Sequence, residues 1–107
     1  MNPKHGEVWL ADLGLTAKLR PVIILSFEDP DAPRALIIYI PITSQARGSR
    51  YEVLLGHLPW LSKTSVANVQ GIGSMPPIRF EKKLGLLPKE DLFKIKQALM
   101  YACKLQA

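Results

Sequence analysis

The chain has 107 residues, 48% of them hydrophobic, which is enough for one compact core and too few for two domains. We therefore expect a single domain over residues 1–107. Fourteen Lys and Arg against nine Asp and Glu give a formal net charge of +5 and a pI near 9.6, which favours a polyanion such as nucleic acid as the partner. Many small soluble proteins are mildly basic, so charge alone does not identify that partner.

The single cysteine and the lack of long apolar stretches limit the kinds of site that the chain can form and the compartment in which we expect it. Cys103 alone excludes an intramolecular disulfide and a zinc site built from cysteines, and its place in an apolar helical stripe predicts simple packing. No stretch approaches the roughly 18 apolar residues of a membrane span, and no apolar segment follows the charged N-terminus. We expect a cytoplasmic protein with no membrane partner and no cofactor.

Five segments are predicted to be strands from their apolar and β-branched composition. In chain order they are residues 7–13, 20–26, 35–40, 51–55 and 65–72. An acidic, proline-bearing loop over residues 27–33 separates the second strand from the third, and Pro41 ends the third. The alternation in residues 65–72 gives the weakest of these signals.

Only the C-terminal end has a helical pattern. Pro88 suits a first turn, and Glu90 and Asp91 complement the N-terminal end of the helix dipole. One face of this helix is apolar and carries Leu92, Ile95, Leu99 and Ala102. Short strands followed by one terminal helix predict a mainly β fold, a small and strongly curved barrel of five or more strands.

Polar groups stand at the ends of two strands that are otherwise apolar. Arg20 opens the second strand, and Thr43, Ser44 and Gln45 follow the third. A guanidinium group keeps its charge in proteins, and its fork of donors matches a pair of phosphate or carboxylate oxygens. The alternative is that Arg20 caps a neighbouring loop while the hydroxyls bond turn backbone.

Taken together, six segments of the chain resemble the MazF/PemK toxins of bacterial toxin–antitoxin systems. They are residues 6–9 (GEVW), 19–26 (LRPVIILS), 41–44 (PITS), 47–53 (RGSRYEV), 65–66 (SV) and 79–85 (RFEKKLG). Their order and spacing extend the resemblance from Gly6 to the terminal helix. The resemblance implies an SH3-like barrel that forms a homodimer and cleaves single-stranded RNA without a metal ion. It also implies a cognate antitoxin whose disordered tail occupies the RNA site.

The same resemblance assigns the catalytic pair. Arg20 matches the family's catalytic arginine, for which we expect stabilisation of transition-state charge, and Thr43 matches its catalytic hydroxyl, which would hold a phosphate oxygen. Ser44 is a candidate second hydroxyl. Glu7 is a candidate base, although a salt bridge at the start of the first strand is the favoured interpretation of this residue.

Further residues are candidate RNA contacts because arginines suit phosphates and amides can read base edges. The predicted set is Gln45, Arg47, Arg50, Asn68, Gln70 and Arg79. Asn68 and Gln70 share one face of the fifth predicted strand, where they would contact bases or satisfy one another. For Tyr51 and Trp60, ordinary packing is favoured over base stacking.

The chain departs from the family pattern in two places. Many relatives carry Gln-Ile-Arg-Thr followed by an acid two residues on, whereas residues 71–76 read GIGSMP, so a second arginine and the acid are missing. This leaves the residues that transfer protons unassigned. The loop over residues 16–19 is short, which suggests an open cleft with loose base selection.

Two other functions and one other mechanism stay open. Toxins that inhibit DNA gyrase use the same barrel, and a degenerate module could bind RNA or antitoxin without cleavage; Arg20 together with Thr43 favours the nuclease. His5 and His57 raise the question of a two-histidine ribonuclease mechanism. We expect His5 in a mobile terminus and His57 in a surface turn instead.

Overall fold

The computed structural model describes residues 2–14, 18–61 and 63–105 of the chain. The strands of this part are β1 Glu7–Asp12, β2 Leu19–Ile24, β3 Ile37–Thr43, β4 Glu52–Leu54, β5 Val66–Asn68, β6 Gly73–Met75 and β7 Phe80–Leu86. Short 3₁₀ helices cover Val69–Gly71 and Pro77–Arg79, and the α-helix α1 covers Lys89–Cys103. None of the helices in the described ranges is long and apolar enough to cross a lipid bilayer.

All described strand pairs are antiparallel, and they form one sheet in the order β4-β5-β3-β2-β1-β7, with β6 paired to β3. Strand β3 has β2 along one side, and β6 and β5 in succession along the other. The prediction of a mainly β domain of five or more strands with a C-terminal helix is confirmed. The order ends at β4 and β7, so hydrogen bonds between described strands do not close it into a complete barrel.

The sheet is buried on both faces, which explains why its central strands read as continuous apolar runs. On one face, Val8, Ile23 and Ile40 pack in a cluster that includes Ile95 of α1. On the other face, a second cluster contains Trp9, Val22, Ile24 and Phe80. Neighbouring residues of β1 and β2 thus enter different clusters, as the alternation of side chains along a strand requires.

The ends of all five predicted strands differ from the observed ones, and in two strands an end differs by three residues or more. β3 does not stop before Pro41 but continues to Thr43, because Pro41 forms the last pair with β2 (Val22↔Pro41) and its missing N–H costs little there. The strand predicted over residues 65–72 covers only Val66–Asn68. The Asn68 side chain accepts a hydrogen bond from the Gln70 N–H and turns the chain into a 3₁₀ helix.

Strands β6 and β7 were not predicted from the sequence. β6 is short and holds a glycine, and prolines follow it. β7 lacks regular alternation because it carries the charged residues Glu81, Lys82 and Lys83 and pairs with β1 through two register shifts. Such bulges interrupt the period-two pattern on which a sequence-based prediction depends.

The C-terminal helix agrees with its prediction apart from the role of the cysteine. Pro88 lies at the N-cap, Ile95 is fully buried, and the other three residues of the predicted apolar face pack against the first cluster. Lys104, with φ of 51°, ends the helix in the left-handed conformation. Cys103 is exposed, so the expectation that it packs in the apolar stripe is wrong.

Trp60 is held in place by a close approach to the backbone of β7. Its indole ring lies against Gly85, where an added Cβ would come within 2.8 Å of Cδ1 and 2.9 Å of Cε2. The ring also packs against the first apolar cluster. The packing interpretation of Trp60 is therefore confirmed.

A methyl group at Gly85 would overlap the Trp60 ring, so Gly85→Ala should destabilise the protein by about 1–3 kcal/mol. Gly56→Ala is the matched control, because nothing lies within 4 Å of an added Cβ there. We expect Gly56→Ala to leave stability unchanged or to raise it slightly. Urea unfolding compares the two, and equal midpoints would contradict the packing described for Gly85.

Candidate active site

Arg20 and Thr43 lie on neighbouring strands and line the same cleft. Arg20 belongs to β2 and Thr43 to β3, and these strands pair from Ile24↔Tyr39 to Val22↔Pro41. Both side chains line one cleft of about 510 Å³. Arg20 is exposed and Thr43 is half-buried. The structure thus brings together the two residues that the sequence assigned to the chemistry.

The cleft around this pair is positively charged. Its described lining consists of Leu13, Arg20, Pro21, Pro41, Ile42, Thr43, Ser44, Gln45, Leu61, Lys63 and Ser65. This set contains two cations, three hydroxyl groups and one amide, and it contains no carboxylate. Such a lining suits an anion that accepts hydrogen bonds. The two prolines bring carbonyl groups but no N–H.

The Thr43 hydroxyl makes a local hydrogen bond and keeps a donor for a ligand. Its Oγ1 accepts from the backbone N–H of Gln45 at 3.1 Å, which is the turn contact that the alternative interpretation predicted. A hydroxyl group also carries one proton that it can donate. The turn contact therefore fixes Thr43 without excluding a hydrogen bond to a phosphate oxygen.

A second cleft of about 370 Å³ adjoins the first. Its described lining consists of Thr43, Gln45, Arg47, Ser49, Glu52, Asn68 and Gln70, so Thr43 and Gln45 belong to both clefts. Asn68 and Gln70 do share this site, although not by alternation along one strand, because Gln70 lies in the 3₁₀ helix. The Asn68 oxygen is used by the Gln70 N–H, which leaves its NH₂ group to donate.

Glu52 holds the loop that carries the predicted RNA-binding arginines. Its carboxylate accepts from the backbone N–H of Arg47 at 2.9 and 3.1 Å and from that of Ser49 at 3.3 Å. Arg47 then lines the second cleft. Arg50 instead lies 3.8 Å from the centre of the Tyr101 ring, and Tyr51 packs on the same ring at 5.5 Å. The packing interpretation of Tyr51 is confirmed.

Arg79 holds the end of β1 and lies outside the described lining of both clefts. Its Nε donates to the carbonyl oxygen of Asp12 at 2.9 Å. The Asp12 carboxylate in turn accepts from the N–H of Gly14, so this contact fixes the turn after β1. Thr16 and Ala17 lie outside the described residues, and the open loop proposed for residues 16–19 stays a prediction.

Glu7 lies away from the cleft and is fully engaged. Its Oε1 accepts from the indole of Trp9 and from the N–H of Lys4, both at 2.9 Å, and its Oε2 lies 3.0 Å from the Lys83 ammonium. The favoured interpretation of Glu7 as a salt-bridge residue is confirmed. Ala11, the partner of Arg20, lies four residue steps further along β1, which is about 13 Å along the strand.

The neighbours of Glu7 stabilise its charged form. Burial raises the pKa of Glu7, but the hydrogen bonds from Trp9, Lys83 and Lys4 and the charge of Lys83 together hold it below the ordinary value. A carboxylate with a lowered pKa is a weak base, and this one has its lone pairs occupied. The geometry therefore does not favour Glu7 as the base of the reaction.

Neither histidine lines the two clefts. His5 bonds to the carbonyl oxygen of Leu25 through Nδ1 at 2.7 Å and accepts from the Lys96 ammonium at Nε2, 3.1 Å away. Both histidines are exposed, in line with the expected surface placement, and the mobility expected of the terminus at His5 stays a prediction. Within residues 2–14, 18–61 and 63–105, no group of three or more metal-ligating side chains comes together.

Lys63 and Ser65 line the first cleft, and the sequence did not identify them as site residues. Lys63 stands in a loop without a recognisable pattern. The pairing of β3 with β5 brings it to Thr43, because Thr43 pairs with Val66. A pairing between segments more than twenty residues apart leaves no local signal at Lys63.

Because its pKa is lowered in the folded state, Glu7 should stabilise the fold above its unfolded-state pKa, and this contribution should fade as the pH falls through the lower folded-state value. The wild type should therefore have a higher free energy of unfolding than Glu7→Gln, and this difference should be largest at neutral pH. Below about pH 4.5 the difference should become smaller. Urea unfolding over a pH series measures this difference. Glu81→Gln, at an exposed site on β7, controls for net charge, and a pH-independent difference would contradict the expectation.

Comparison with known proteins agrees with this geometry. The family model of the PemK-like, MazF-like toxin of type II toxin–antitoxin systems matches residues 4–103. No curated protein matches the sequence at a significant level.

Three solved structures illustrate the similarity of fold. An endoribonuclease in complex with its cognate antitoxin from a mycobacterial species is 25% identical over 98% of each chain, with a TM-score of 0.83. Toxin MazF-mt6 of Mycobacterium tuberculosis is 25% identical over 94% of this chain and 99% of its own, with a TM-score of 0.81. A MazE–MazF structure from Deinococcus radiodurans is 26% identical over 97% of this chain and 98% of its own, with a TM-score of 0.75. The match over residues 4–103 shows that the chain belongs to the PemK-like, MazF-like toxins of type II toxin–antitoxin systems.

Proposed function

We propose that this protein is the toxin of a type II toxin–antitoxin system and that it acts as an endoribonuclease on single-stranded RNA. The observation that carries the proposal is that Arg20 and Thr43 line one cleft whose described lining has no carboxylate. Family membership and the similarity to a mycobacterial endoribonuclease support it. The single domain over residues 1–107 is part of the same proposal.

The reaction that fits this lining is attack by the neighbouring 2′-hydroxyl on the phosphorus. The 2′-oxygen bonds to phosphorus and gives up its proton, the P–O5′ bond breaks, and O5′ takes a proton from the surroundings. The products are a 2′,3′-cyclic phosphate and a 5′-hydroxyl. The reaction needs no metal ion, because the cations of the cleft oppose the charge that grows on the phosphoryl oxygens.

Each residue of the pair has a role that its chemistry allows. Arg20 binds phosphoryl oxygens through its fork of donors and stabilises their charge in the transition state. The Thr43 hydroxyl donates a hydrogen bond to one of these oxygens, and Ser44 offers a second hydroxyl from the same lining. Glu7 receives no role in proton transfer because of its distance and its hydrogen bonds.

The second cleft is the natural path for the neighbouring nucleotides, because it shares Thr43 and Gln45 with the first. Arg47 would contact a phosphate there, and Asn68 and Gln70 would contact a base. Arg50 and Arg79 are weaker candidates, since their guanidinium groups are held by Tyr101 and by the Asp12 carbonyl.

The proposal also covers the protein partners of the chain and its cellular compartment. A cognate antitoxin is the expected protein partner, in line with the mycobacterial and Deinococcus radiodurans complexes. We also propose a homodimer in the cytoplasm. Exposed apolar side chains such as Ile78 and Phe27, with 83% and 72% of their surface accessible, are consistent with protein interfaces.

Arg20→Ala and Thr43→Ala should each slow RNA cleavage by about 10²–10³-fold, because each removes a group that opposes transition-state charge. Thr43→Ser keeps the hydroxyl and should retain most of the activity. The measurement is cleavage of a long single-stranded RNA in EDTA, with end-group analysis of the products. A 2′-deoxy nucleotide at the cut site should block the reaction.

Other outcomes of that assay would redirect the assignment. Equal cutting by the wild type and both alanine variants would show a contaminant or a wrong site. No cutting by the wild type would move the assignment to a gyrase-inhibiting toxin or to a binding module. Gyrase supercoiling and RNA-binding assays distinguish these two.

Arg47→Ala should weaken binding to an RNA that carries a 2′-deoxy block at the cut site, and it should lower the slope of log affinity against log salt by about 1. The matched control is Arg34→Ala, which removes an exposed arginine outside the described lining of both clefts. Binding titrations at several salt concentrations measure both variants. Equal losses of affinity would mean that net charge, and not the second cleft, accounts for the effect of Arg47.

A further inference from the structure

Lys63 lies on the cleft that holds Arg20 and Thr43, on the connection between β4 and β5. Within the described lining, Arg20 and Lys63 are the only cations, and no aspartate or glutamate accompanies them. The ion pairs found among the described residues involve neither of the two. The cleft therefore offers two positive charges that no carboxylate of this lining neutralises.

The backbone at Lys63 is fixed by the residues that follow it. Ser65 is buried, with 7% of its surface accessible, and its hydroxyl donates to the Lys63 carbonyl oxygen at 3.0 Å. The Ser65 carbonyl accepts from the N–H of Leu55 at 3.0 Å. Val66 then pairs with Thr43. A chain of hydrogen bonds thus sets the position of Lys63 relative to the catalytic hydroxyl.

The two cations belong to segments on different sides of β3. Arg20 belongs to β2, which lies along one side of β3, and Lys63 precedes β5, which lies along the other side. Thr43 is on β3 between them. An anion bound at the Thr43 hydroxyl would therefore lie in a cleft that one guanidinium group and one ammonium group also line.

We propose that Lys63 is a second cationic contact to the reacting phosphate and that it stabilises the transition state together with Arg20. This inference rests on the proposed ribonuclease function. As the 2′-oxygen bonds to phosphorus and the P–O5′ bond lengthens, negative charge grows on the phosphoryl oxygens and on O5′. A compact ammonium charge beside these atoms binds the transition state more strongly than the diester. Lys63 has no part in proton transfer in this assignment.

The test compares Lys63→Ala, Lys63→Gln and Lys63→Arg with the wild type and with Arg20→Ala. Lys94→Ala is the matched control, because it removes an exposed lysine on α1 outside the described lining of both clefts. Two quantities are measured for each protein. One is the single-turnover cleavage rate at saturating RNA, and the other is the affinity for the same RNA with a 2′-deoxy block at the cut site. Thermal unfolding checks that every variant is folded.

Lys63→Ala and Lys63→Gln should lower the saturating rate by about 10²-fold and change the affinity much less, whereas Lys63→Arg should keep most of the rate. Lys94→Ala should match the wild type in both quantities. A loss of affinity with an unchanged saturating rate would overturn the proposal, because Lys63 would then bind only the ground state. A wild-type rate in Lys63→Ala would also overturn it.

The outcomes separate this inference from the function on which it rests. If the wild type cleaves RNA and Arg20→Ala does not, the ribonuclease function stands whatever the Lys63 variants do. If the wild type does not cleave RNA under any of these conditions, the ribonuclease function and the role of Lys63 are both wrong.

Discussion

Strand β3 determines where every part of the candidate site lies. It forms hydrogen bonds with β2 on one side and with β6 and β5 on the other, and Thr43 stands at its end. The first pairing positions β2, which carries Arg20, and the last positions β5, which follows Lys63. A shift of β3 by one residue would turn Thr43 to the opposite face and remove Ile40 and Ile42 from the first apolar cluster. The burial of these side chains therefore fixes the geometry of the cleft.

The two clefts are joined by close packing as well as by shared side chains. An added Cβ at Gly71 would lie 2.6 Å from Cγ of Pro41, so the 3₁₀ helix that carries Gln70 rests directly on a proline of the first cleft. An added Cβ at Gly73 would likewise lie 2.8 Å from the Tyr39 hydroxyl oxygen. At both positions the absence of a side chain allows the backbone to approach β3 closely. These contacts also join the 3₁₀ helix beside the second cleft to β3, since Tyr39 and Pro41 both belong to that strand.

Features that depend on local sequence patterns could be predicted from the sequence. The apolar run after Arg20 and the spacing of Leu92, Ile95 and Leu99 identify a buried strand and the helix. β7 was missed because its charges and bulges hide the strand period. The predicted end of β5 was wrong because an asparagine side chain accepts a hydrogen bond from the backbone and turns the chain out of the strand. Lys63 was missed because only the pairing of Thr43 with Val66 brings it to the site.

Because Pro21 and Pro41 have no backbone N–H, the cleft depends on its side chains for positive charge. Sites that bind phosphate through successive backbone N–H groups lose that function only when the path of the chain changes. Here two of the lining positions have no N–H to offer, so the positive charge comes from exposed side chains at the surface of an intact core. Activity and folding can consequently change independently. A single codon change at Arg20 removes a charge of the cleft without removing any side chain of the buried core.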